Sequence, residues 1–236
     1  MRLGIMQPYF LPYIGYFSLL KNTDCFILFD SVQFIRHGWI ERNRVLKPGR
    51  GWQYISVPLM KHTQKTKITE IMIKNDIDWK DTIFRQLEHY KKKSPFYKET
   101  IEVLSAALNL ETESIVKLNK HILETICNYI GIKFDIKIFS KMNLSIDDVK
   151  APDEWALNIC KVIENANEYW NPEGGLEFYD RTKYGKEGID FKFLKMNIQK
   201  YSQRREEFIE RLSIIDIMMF NRIDDIQKMI DDFVLL

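Results

Sequence analysis

A proline-broken aromatic stretch near the N-terminus most strongly restricts how this chain can fold. The stretch, MQPYFLPYIGYF at Met6–Phe17, follows an apolar run at Arg2–Met6 and leads into helical spacing at Tyr13–Lys21 and a second apolar run at Cys25–Phe29. Proline disfavours helix both at its own position and at the residue before it, so we expect no helix before Tyr13. The first thirty residues therefore predict strand, loop, helix and strand, a βαβ unit with two parallel strands.

The rest of the chain predicts that this unit belongs to a larger sheet. Short apolar runs predict further strands at Trp52–Pro58, Ile68–Ile73, Asp135–Phe139 and, as the last strand, Ile189–Leu194. Helical spacing predicts helices at Trp79–Tyr90, Pro95–Leu108, Ser114–Ile130, Pro152–Asn165, Leu212–Phe220 and Asp224–Phe233. We therefore predict a single α/β domain over residues 1–236, with a parallel sheet and a helical insertion at residues 78–130.

Composition narrows the class of protein. A net charge of +2 argues against a dedicated nucleic-acid binder and leaves room for a small anionic ligand held by a local basic patch. The three cysteines are widely spaced, without a CxxC pair or a Cys/His cluster, which predicts reduced, buried thiols and no structural metal site. Without a secretory signal or an apolar run of about 20 residues, we expect a cytoplasmic protein that does not insert into a membrane.

The first predicted helix is a candidate phosphate site. A helix N-terminus offers unpaired backbone N–H groups and the positive end of its dipole, and Gly15 permits close approach. Tyr13 and Tyr16 lie three residues apart, which places both hydroxyls on one face of the first turn. Core packing is the alternative reading of these aromatic side chains. The candidate residues of this region are Gln7, Pro8, Tyr9, Tyr13, Gly15 and Tyr16.

Three other polar groups are candidate site residues. The first follows the predicted second strand, where open parallel sheets bind ligands: Asp30, Gln33, His37, Trp39, Asn43 and Arg44. A carboxylate there can accept a proton from an amine or hold Mg²⁺, and an arginine can pair with a phosphate. The second is the NPEGG turn, with Asn171 and Gly174. The third group lies at the beginning of a helix-like run after residue 200 and within that run: Tyr201, Gln203, Ser213 and Asp216. Turns, caps and surface ion pairs are the structural alternatives.

Four sequence blocks resemble the signature of the WbqC-like protein family. They are QPYFLPYIGYF, DSVQFIRHGWIERNR, EYWNPEGGLEFY and YSQRREEFIERLSIIDIMMFN, in that order, between Gln7 and Asn221. The first block is also similar to the HxGH region of nucleotidylyltransferase-type (HUP, Rossmann-like) α/β folds. There Tyr13-Ile14-Gly15-Tyr16 takes the place of His-x-Gly-His. Tyrosine donates a hydrogen bond but carries no positive charge at neutral pH, which departs from an imidazole-based mechanism.

The resemblance implies a role in bacterial O-antigen or other surface-polysaccharide synthesis. It implies transfer of a glycyl or related aminoacyl group to the amine of a nucleotide-linked deoxyamino sugar, such as a dTDP-sugar, with ATP and Mg²⁺ for carboxylate activation. Two alternatives stay open: a nucleotidylyltransferase that makes an activated sugar, and a non-catalytic nucleotide-sugar-binding protein. A homodimer is compatible with all three functions.

Under the first reading the candidate residues divide into three roles. The reacting centre would contain Asp30, Tyr16, Asn43 and Arg44. The cofactor would contact Gln7, Pro8, Tyr9, Tyr13, Gly15, Tyr201 and Gln203. The substrate would contact Gln33, His37, Trp39, Asn171, Gly174, Ser213 and Asp216.

Overall fold

The computed structural model describes all 236 residues, Met1–Leu236, around a central six-stranded sheet. The eight strands of the chain are β1 (Arg2–Met6), β2 (Cys25–Leu28), β3 (Arg42–Leu46), β4 (Trp52–Ser56), β5 (Ile136–Ile138), β6 (Glu168–Pro172), β7 (Asp190–Met196) and β8 (Phe233–Leu235). The sheet has the order β5-β2-β1-β6-β7-β8, in which only β8 runs antiparallel. The five parallel strands therefore follow the 3-2-1-4-5 order of a Rossmann-like doubly wound sheet.

The sheet opens between β1 and β6, where its strand order reverses. The β1–β6 ladder runs from Arg2/Glu168 to Gly4/Trp170 and stops there, although both strands continue. On either side, β1 stays paired with β2 up to Met6/Leu28, and β6 with β7 up to Pro172/Leu194. The carboxyl ends of β1 and β6 therefore separate at the topological switch point, which is where open α/β sheets bind ligands.

Helices and loops cover both faces of the sheet. The helices are α1 (Ile14–Asn22), α2 (Trp79–Leu87), α3 (Tyr97–Leu108), α4 (Ile115–Ile130), α5 (Glu154–Val162), α6 (Arg181–Lys186), α7 (Ile214–Phe220) and α8 (Ile223–Asp231). Successive residues of β2 alternate between two cores: Phe26 and Leu28 pack on one face, and Cys25 and Ile27 on the other. Burial on both faces is typical of parallel sheets and explains why these strands read as continuous apolar runs.

The longest connection runs from β2 to β5 and contains the β3–β4 hairpin and helices α2 to α4. The strand predicted at Ile68–Ile73 is wrong. Ile68–Glu70 forms a 3₁₀ turn instead, and only a single bridge joins Ile73 to Leu59. Lys67 caps this turn, because its backbone N–H donates to the Glu70 carboxylate at 3.2 Å. This local hydrogen bond stabilises the turn over the strand that the weak alternation of apolar residues predicted.

Three strands were missed, and one run was misread. Neither β3, β6 nor β8 was predicted, so Ile189–Leu194 is not the last strand. The helix predicted at Asp224–Phe233 ends at Asp231, and Phe233 begins β8. The run after Tyr201 is irregular up to Ser213, and the helix begins only at Ile214.

The cysteines are free and buried, as predicted. Burial raises the pKa of the Cys25 thiol to about 11 and that of Cys160 to about 12, so both remain protonated and unreactive at neutral pH. None of the helices combines the length and the apolar character that spanning a bilayer requires.

Candidate functional site

The crevice between the carboxyl ends of β1 and β6 brings together two of the predicted groups. Gln7 follows β1, while Asn171 lies near the end of β6 and Gly174 just beyond it. The Gln7 backbone carbonyl accepts a hydrogen bond from the Tyr16 hydroxyl at 2.8 Å, and its half-buried side-chain amide has no partner within the protein. A Cβ at Gly174 would meet no atom within 4 Å, so this turn borders open space. The crevice therefore presents an uncommitted amide beside an unobstructed turn.

Three tyrosines line this crevice, and all three are protonated at neutral pH. Burial raises the pKa of Tyr9, Tyr13 and Tyr179 above the ordinary phenol range. The Tyr13 ring lies over Gly15, and a Cβ at Gly175 would lie 3.1 Å from the Tyr179 ring. A protonated phenol donates a hydrogen bond and does not accept a proton from an amine. These side chains can bind and orient a ligand, and they do not supply a general base.

An ion pair lies at the crevice, between Glu173 after β6 and Arg211 from the segment before α7. An Arg211 guanidinium nitrogen lies 2.9 Å from a Glu173 carboxylate oxygen, and Lys195 lies 3.9 Å from the other oxygen. Arg211 holds a left-handed backbone with φ 55°, a conformation that costs free energy for a residue other than glycine. The segment that carries Arg211 is joined to the loop before Tyr13, because the Ile214 backbone N–H donates to the Pro12 carbonyl at 2.9 Å. The sequence blocks quoted above contain Glu173 and Arg211, but no role was predicted for either residue.

The structure does not form the amide cradle expected at Gly15. A Cβ there would lie 2.4 Å from the Tyr13 hydroxyl oxygen, so the glycine accommodates the Tyr13 ring and not a ligand. Tyr16 has no exposed surface: its hydroxyl is bonded to Gln7, and its ring packs against Tyr9 and Phe26. Tyr16 therefore belongs to the core, and in this arrangement the first turn of α1 is closed to phosphate.

The loop at residues 8–12 is held by polar groups from distant parts of the chain. Asn119 of α4 donates to the Pro8 carbonyl at 2.7 Å, and Asn43 of β3 donates to the Phe10 carbonyl at 3.0 Å. The hydroxyl of Ser213 donates to the Leu11 carbonyl at 2.8 Å. Because Asn43 and Ser213 are buried and bonded to backbone, we correct their assigned roles: they position the loop and do not reach a substrate. Pro8 is likewise buried.

Asp216 forms the centre of a buried network and is not a substrate contact. Its carboxylate accepts hydrogen bonds from Tyr90 at 2.6 Å, Tyr201 at 2.6 Å and Gln203 at 2.8 Å. Burial raises its pKa, although the three donors lower it. Gln203 also bonds both ways with the backbone of Ile209. The structure thus brings together Asp216, Tyr201 and Gln203, as members of a network that fixes the irregular segment before α7.

Asp30 is committed to the scaffold as well. Its carboxylate accepts from the backbone N–H of Ser140 at 3.0 Å and from the Ser140 hydroxyl at 2.6 Å, which ties the end of β2 to the turn after β5. With 1% of its surface exposed, Asp30 does not fit the predicted role of proton acceptor or Mg²⁺ ligand. Gln33 forms a bridge with Lys67, and the exposed His37 donates its backbone N–H to Glu41. These two contacts lie within the β2–β5 connection.

Arg44 and two tryptophans form an exposed surface next to the crevice, which we call the Trp–Arg face: Trp39, Arg44 and Trp52. The Arg44 guanidinium carbon lies 5.5 Å from the Trp39 ring centre and 5.2 Å from that of Trp52. The tryptophans are 38% and 40% exposed. Arg44 donates to the Arg211 carbonyl at 3.1 Å, which joins the Trp–Arg face to the ion pair. Trp52 was missed as a candidate because it was read only as part of a strand.

Asn171 is buried near the end of β6, with 7% of its surface exposed. Its amide donates to the Tyr169 hydroxyl at 2.6 Å, and its oxygen lies 2.6 Å from the position a Cβ of Gly175 would take. Asn171 therefore orders the wall after β6, and Gly175 is required there for close packing.

A separate concavity of the surface lies away from the crevice. A groove of about 730 Å³ is bordered by residues 75–80 and 110–113. Four carboxylates line it, from Asp76, Asp78, Glu111 and Glu113. An acidic, open groove does not suit an anionic ligand, so we place the candidate site at the crevice on grounds of topology and charge. No group of three or more His, Cys, Asp or Glu side chains converges to hold a metal ion.

Comparison with known proteins gives one family and a distant relative. A family model described as the WbqC-like protein family matches residues 7–228. An uncharacterised protein of Mycobacterium tuberculosis is 28% identical over 221 residues, covering 92% of this chain and 92% of the relative. No solved structure matches the chain, so the Rossmann-like character rests on the strand order described above.

Proposed function

Because the chain belongs to the WbqC-like protein family, we propose that it is an enzyme of bacterial surface-polysaccharide synthesis that acylates a nucleotide-linked deoxyamino sugar. The acyl group is glycyl or that of a related amino acid, and the acceptor is the free amine of the sugar. ATP supplies the activation: the carboxylate displaces pyrophosphate to form an acyl-adenylate, and the sugar amine then forms the amide bond and releases AMP.

The observation that carries this proposal is the separation of β1 and β6 at the switch point. In a sheet with this strand order, a nucleotide binds across the crevice outside the carboxyl ends of these strands. Gln7 places a free amide there, and Tyr9 and Tyr13 place protonated hydroxyls beside it. Such donors orient a ligand and stabilise charge that develops on oxygen in a transition state.

None of these amide and phenol groups is a strong base. An amine attacks an acyl-adenylate as the neutral species, and its proton can pass to solvent or to the departing phosphate, so positioning is the contribution required of the protein. Mg²⁺ in nucleotide sites is held by one or two carboxylates together with phosphate oxygens. Glu173 is the carboxylate at the crevice that suits this role.

A second candidate is a nucleotide-sugar-binding protein without turnover. The specific observation in its favour is that burial raises the pKa of Tyr9, Tyr13 and Tyr179, so that these phenols act as hydrogen-bond donors and not as bases. Such a protein would hold a substrate for a partner enzyme.

One assay separates the candidates. The full chain is incubated with ATP, glycine and a dTDP-linked amino sugar, and AMP, pyrophosphate and product mass are followed. We expect AMP and pyrophosphate in equal amounts together with a product heavier by one glycyl group. Binding of the dTDP-sugar without any consumption supports the second candidate and contradicts the first. A second incubation, with a sugar phosphate and a nucleoside triphosphate but no glycine, tests the nucleotidylyltransferase alternative, which formation of pyrophosphate there would support.

A further inference from the structure

The usual phosphate position of a Rossmann-like sheet is closed in this protein. That position is the first turn of the helix after β1, where unpaired N–H groups face the ligand. Here the Tyr13 ring lies over Gly15. The preceding loop is also fixed, because side chains from α4 and β3 bond the carbonyls of Pro8 and Phe10. A phosphorylated ligand in the crevice therefore requires another group to neutralise its charge.

Positive charge is concentrated in one part of the chain. Residues 33–67 contain eight Lys and Arg against a single Glu, whereas the whole chain carries a net charge of only +2. This segment contains the β3–β4 hairpin and the loops beside it. The local excess creates a positive potential that attracts anions to this side of the molecule.

Two arginines connect that charge to the crevice. The Arg44 carbonyl accepts from the backbone N–H of Ser213 at 2.8 Å, and the Arg44 guanidinium donates to the Arg211 carbonyl at 3.1 Å. Arg211 in turn pairs with Glu173 at the end of β6. The buried Nε of Arg44 has no hydrogen-bond partner. Because Nε is buried, a ligand oxygen can reach only the terminal nitrogens of this guanidinium, one of which donates to the Arg211 carbonyl.

We propose that Arg44 and Arg211 bind the phosphate groups of the ligand, in place of the N-terminus of α1, and that the Trp–Arg face holds an adjacent ring of the same ligand. This assignment rests on the proposed function, because it places the charged part of a nucleotide-linked substrate. Guanidinium groups bind phosphate through paired, parallel hydrogen bonds. Exposed indole rings such as Trp39 and Trp52 stack on planar or apolar ring faces.

The proposal is tested by comparing ligands that differ in phosphate. Binding of dTDP, thymidine and inorganic pyrophosphate to the full chain is measured by calorimetry and by tryptophan fluorescence. Hydrogen bonds between charged groups contribute strongly to affinity. We therefore expect Arg44→Ala and Arg211→Ala each to weaken dTDP and pyrophosphate binding about 10-fold or more. Thymidine binding should change about 2-fold or less, because it lacks phosphate.

A matched control lies on the same hairpin. The Arg50 side chain is 93% exposed and lies 4.0 Å from the exposed Glu206, away from the crevice. Arg50→Ala therefore removes one positive charge, as Arg44→Ala and Arg211→Ala do, but at a different place. We expect it to leave all three affinities within about 2-fold of the parent, since exposed charges are screened by salt. Arg44→Lys, which keeps the charge and the fold, should recover only part of the dTDP affinity, because an ammonium group cannot form the paired hydrogen bonds.

Two results would overturn the proposal: arginine variants that bind dTDP as well as Arg50→Ala does, or a parent chain that binds neither dTDP nor pyrophosphate. Failure of the proposed function is distinguishable. If dTDP binding depends on Arg44 and Arg211 but no amide forms from ATP, glycine and a dTDP-linked amino sugar, the phosphate assignment stands and the acylation proposal does not.

Discussion

The loop at residues 8–12 and the rim formed by Glu173, Arg211 and the Trp–Arg face lie close together and differ in how their polar groups are used. In the loop, backbone carbonyls accept hydrogen bonds from buried side chains of distant segments, including Asn43, Asn119 and Ser213. At the rim, guanidinium and indole groups stay partly exposed, and the buried Arg44 Nε lacks a partner.

This difference separates residues that hold the fold from residues that can bind. A buried polar group with its hydrogen bonds complete contributes to stability and has nothing left for a ligand. A group at the rim contributes little to stability, because exposed ion pairs are worth about 0–1 kcal/mol, and remains free to bind. Substitutions in the first class should lower the free energy of unfolding, and those in the second should change ligand affinity.

The largest loss of stability is expected at Asp216. Asp216→Ala leaves the buried donors of Tyr90, Tyr201 and Gln203 without their acceptor, which should lower the free energy of unfolding by about 3 kcal/mol. Urea denaturation measures this change. Asp225→Ala, at a half-exposed carboxylate of α8, is the control and should change stability by about 0.5 kcal/mol or less. An equally small loss at Asp216 would contradict the assignment of the network to the scaffold.

The same carboxylate predicts a dependence on pH. Burial raises the folded-state pKa of Asp216 above its ordinary value of 3.8, so the folded protein binds this proton more tightly than the unfolded chain does. The contribution of Asp216 to stability should therefore fall as pH rises from about the unfolded pKa through the folded pKa. Asp216→Asn, which does not titrate, should remove this part of the pH profile, and an unchanged profile would contradict it.

A smaller loss is expected where α4 supports the loop. Asn119 donates to the carbonyls of Pro8 and Ile40, so Asn119→Ala should cost about 2 kcal/mol, because two buried acceptors lose their donor. Because Asn119 supports the loop and is not assigned a ligand contact, affinity for dTDP should fall only if the loop at residues 8–12 loses its order. A variant with normal stability would show that the loop is held by other contacts.

The effect of Gly15→Ala on stability should change sign when Tyr13 is also replaced by alanine. In the parent chain the new methyl group collides with the Tyr13 ring, and we expect a loss of about 1 kcal/mol from overpacking. In a Tyr13→Ala background the same change should gain about 0.5 kcal/mol, since alanine favours helix over glycine. Thermal unfolding of the four proteins measures the coupling. Equal effects in both backgrounds would mean that Tyr13 does not cover Gly15.

The smallest effect on stability is expected at the rim. Glu173→Gln removes the partner of Arg211, whose side chain is 50% exposed, and should lower the free energy of unfolding by about 0.5 kcal/mol or less. Because Arg211 loses its competing carboxylate, pyrophosphate should bind more tightly when binding is measured without Mg²⁺. A large loss of stability with unchanged pyrophosphate affinity would place Glu173 among the scaffold residues.

The sequence predicted the elements whose pattern is local. The βαβ start, β7 and helices α2 to α4 follow from apolar spacing and from caps such as Ser114, which accepts from the Lys117 N–H. The strands that were missed depend on pairing with a partner strand. β3 alternates arginines with buried residues and pairs with β4 in a hairpin, and the short β8 pairs with β7 earlier in the chain.

For the candidate site, the sequence named segments that meet at the crevice, but several of the named side chains are buried in the scaffold. Asp30, Tyr16, Asn43 and Ser213 have residue types that suit catalysis, but burial and hydrogen bonding commit them to the scaffold. Burial of this kind depends on tertiary packing, which spacing does not encode. Arg211 and Glu173 lie 38 residues apart and become an ion pair only when β6 meets the segment before α7.

A crystal structure of the chain with dTDP tests the central claim most directly. We predict that the terminal phosphate lies within hydrogen-bond distance of the guanidinium groups of Arg44 and Arg211, with the Tyr13 ring still covering Gly15. A phosphate bound instead to the backbone N–H groups of Ile14–Tyr16, with Tyr13 displaced, would contradict it.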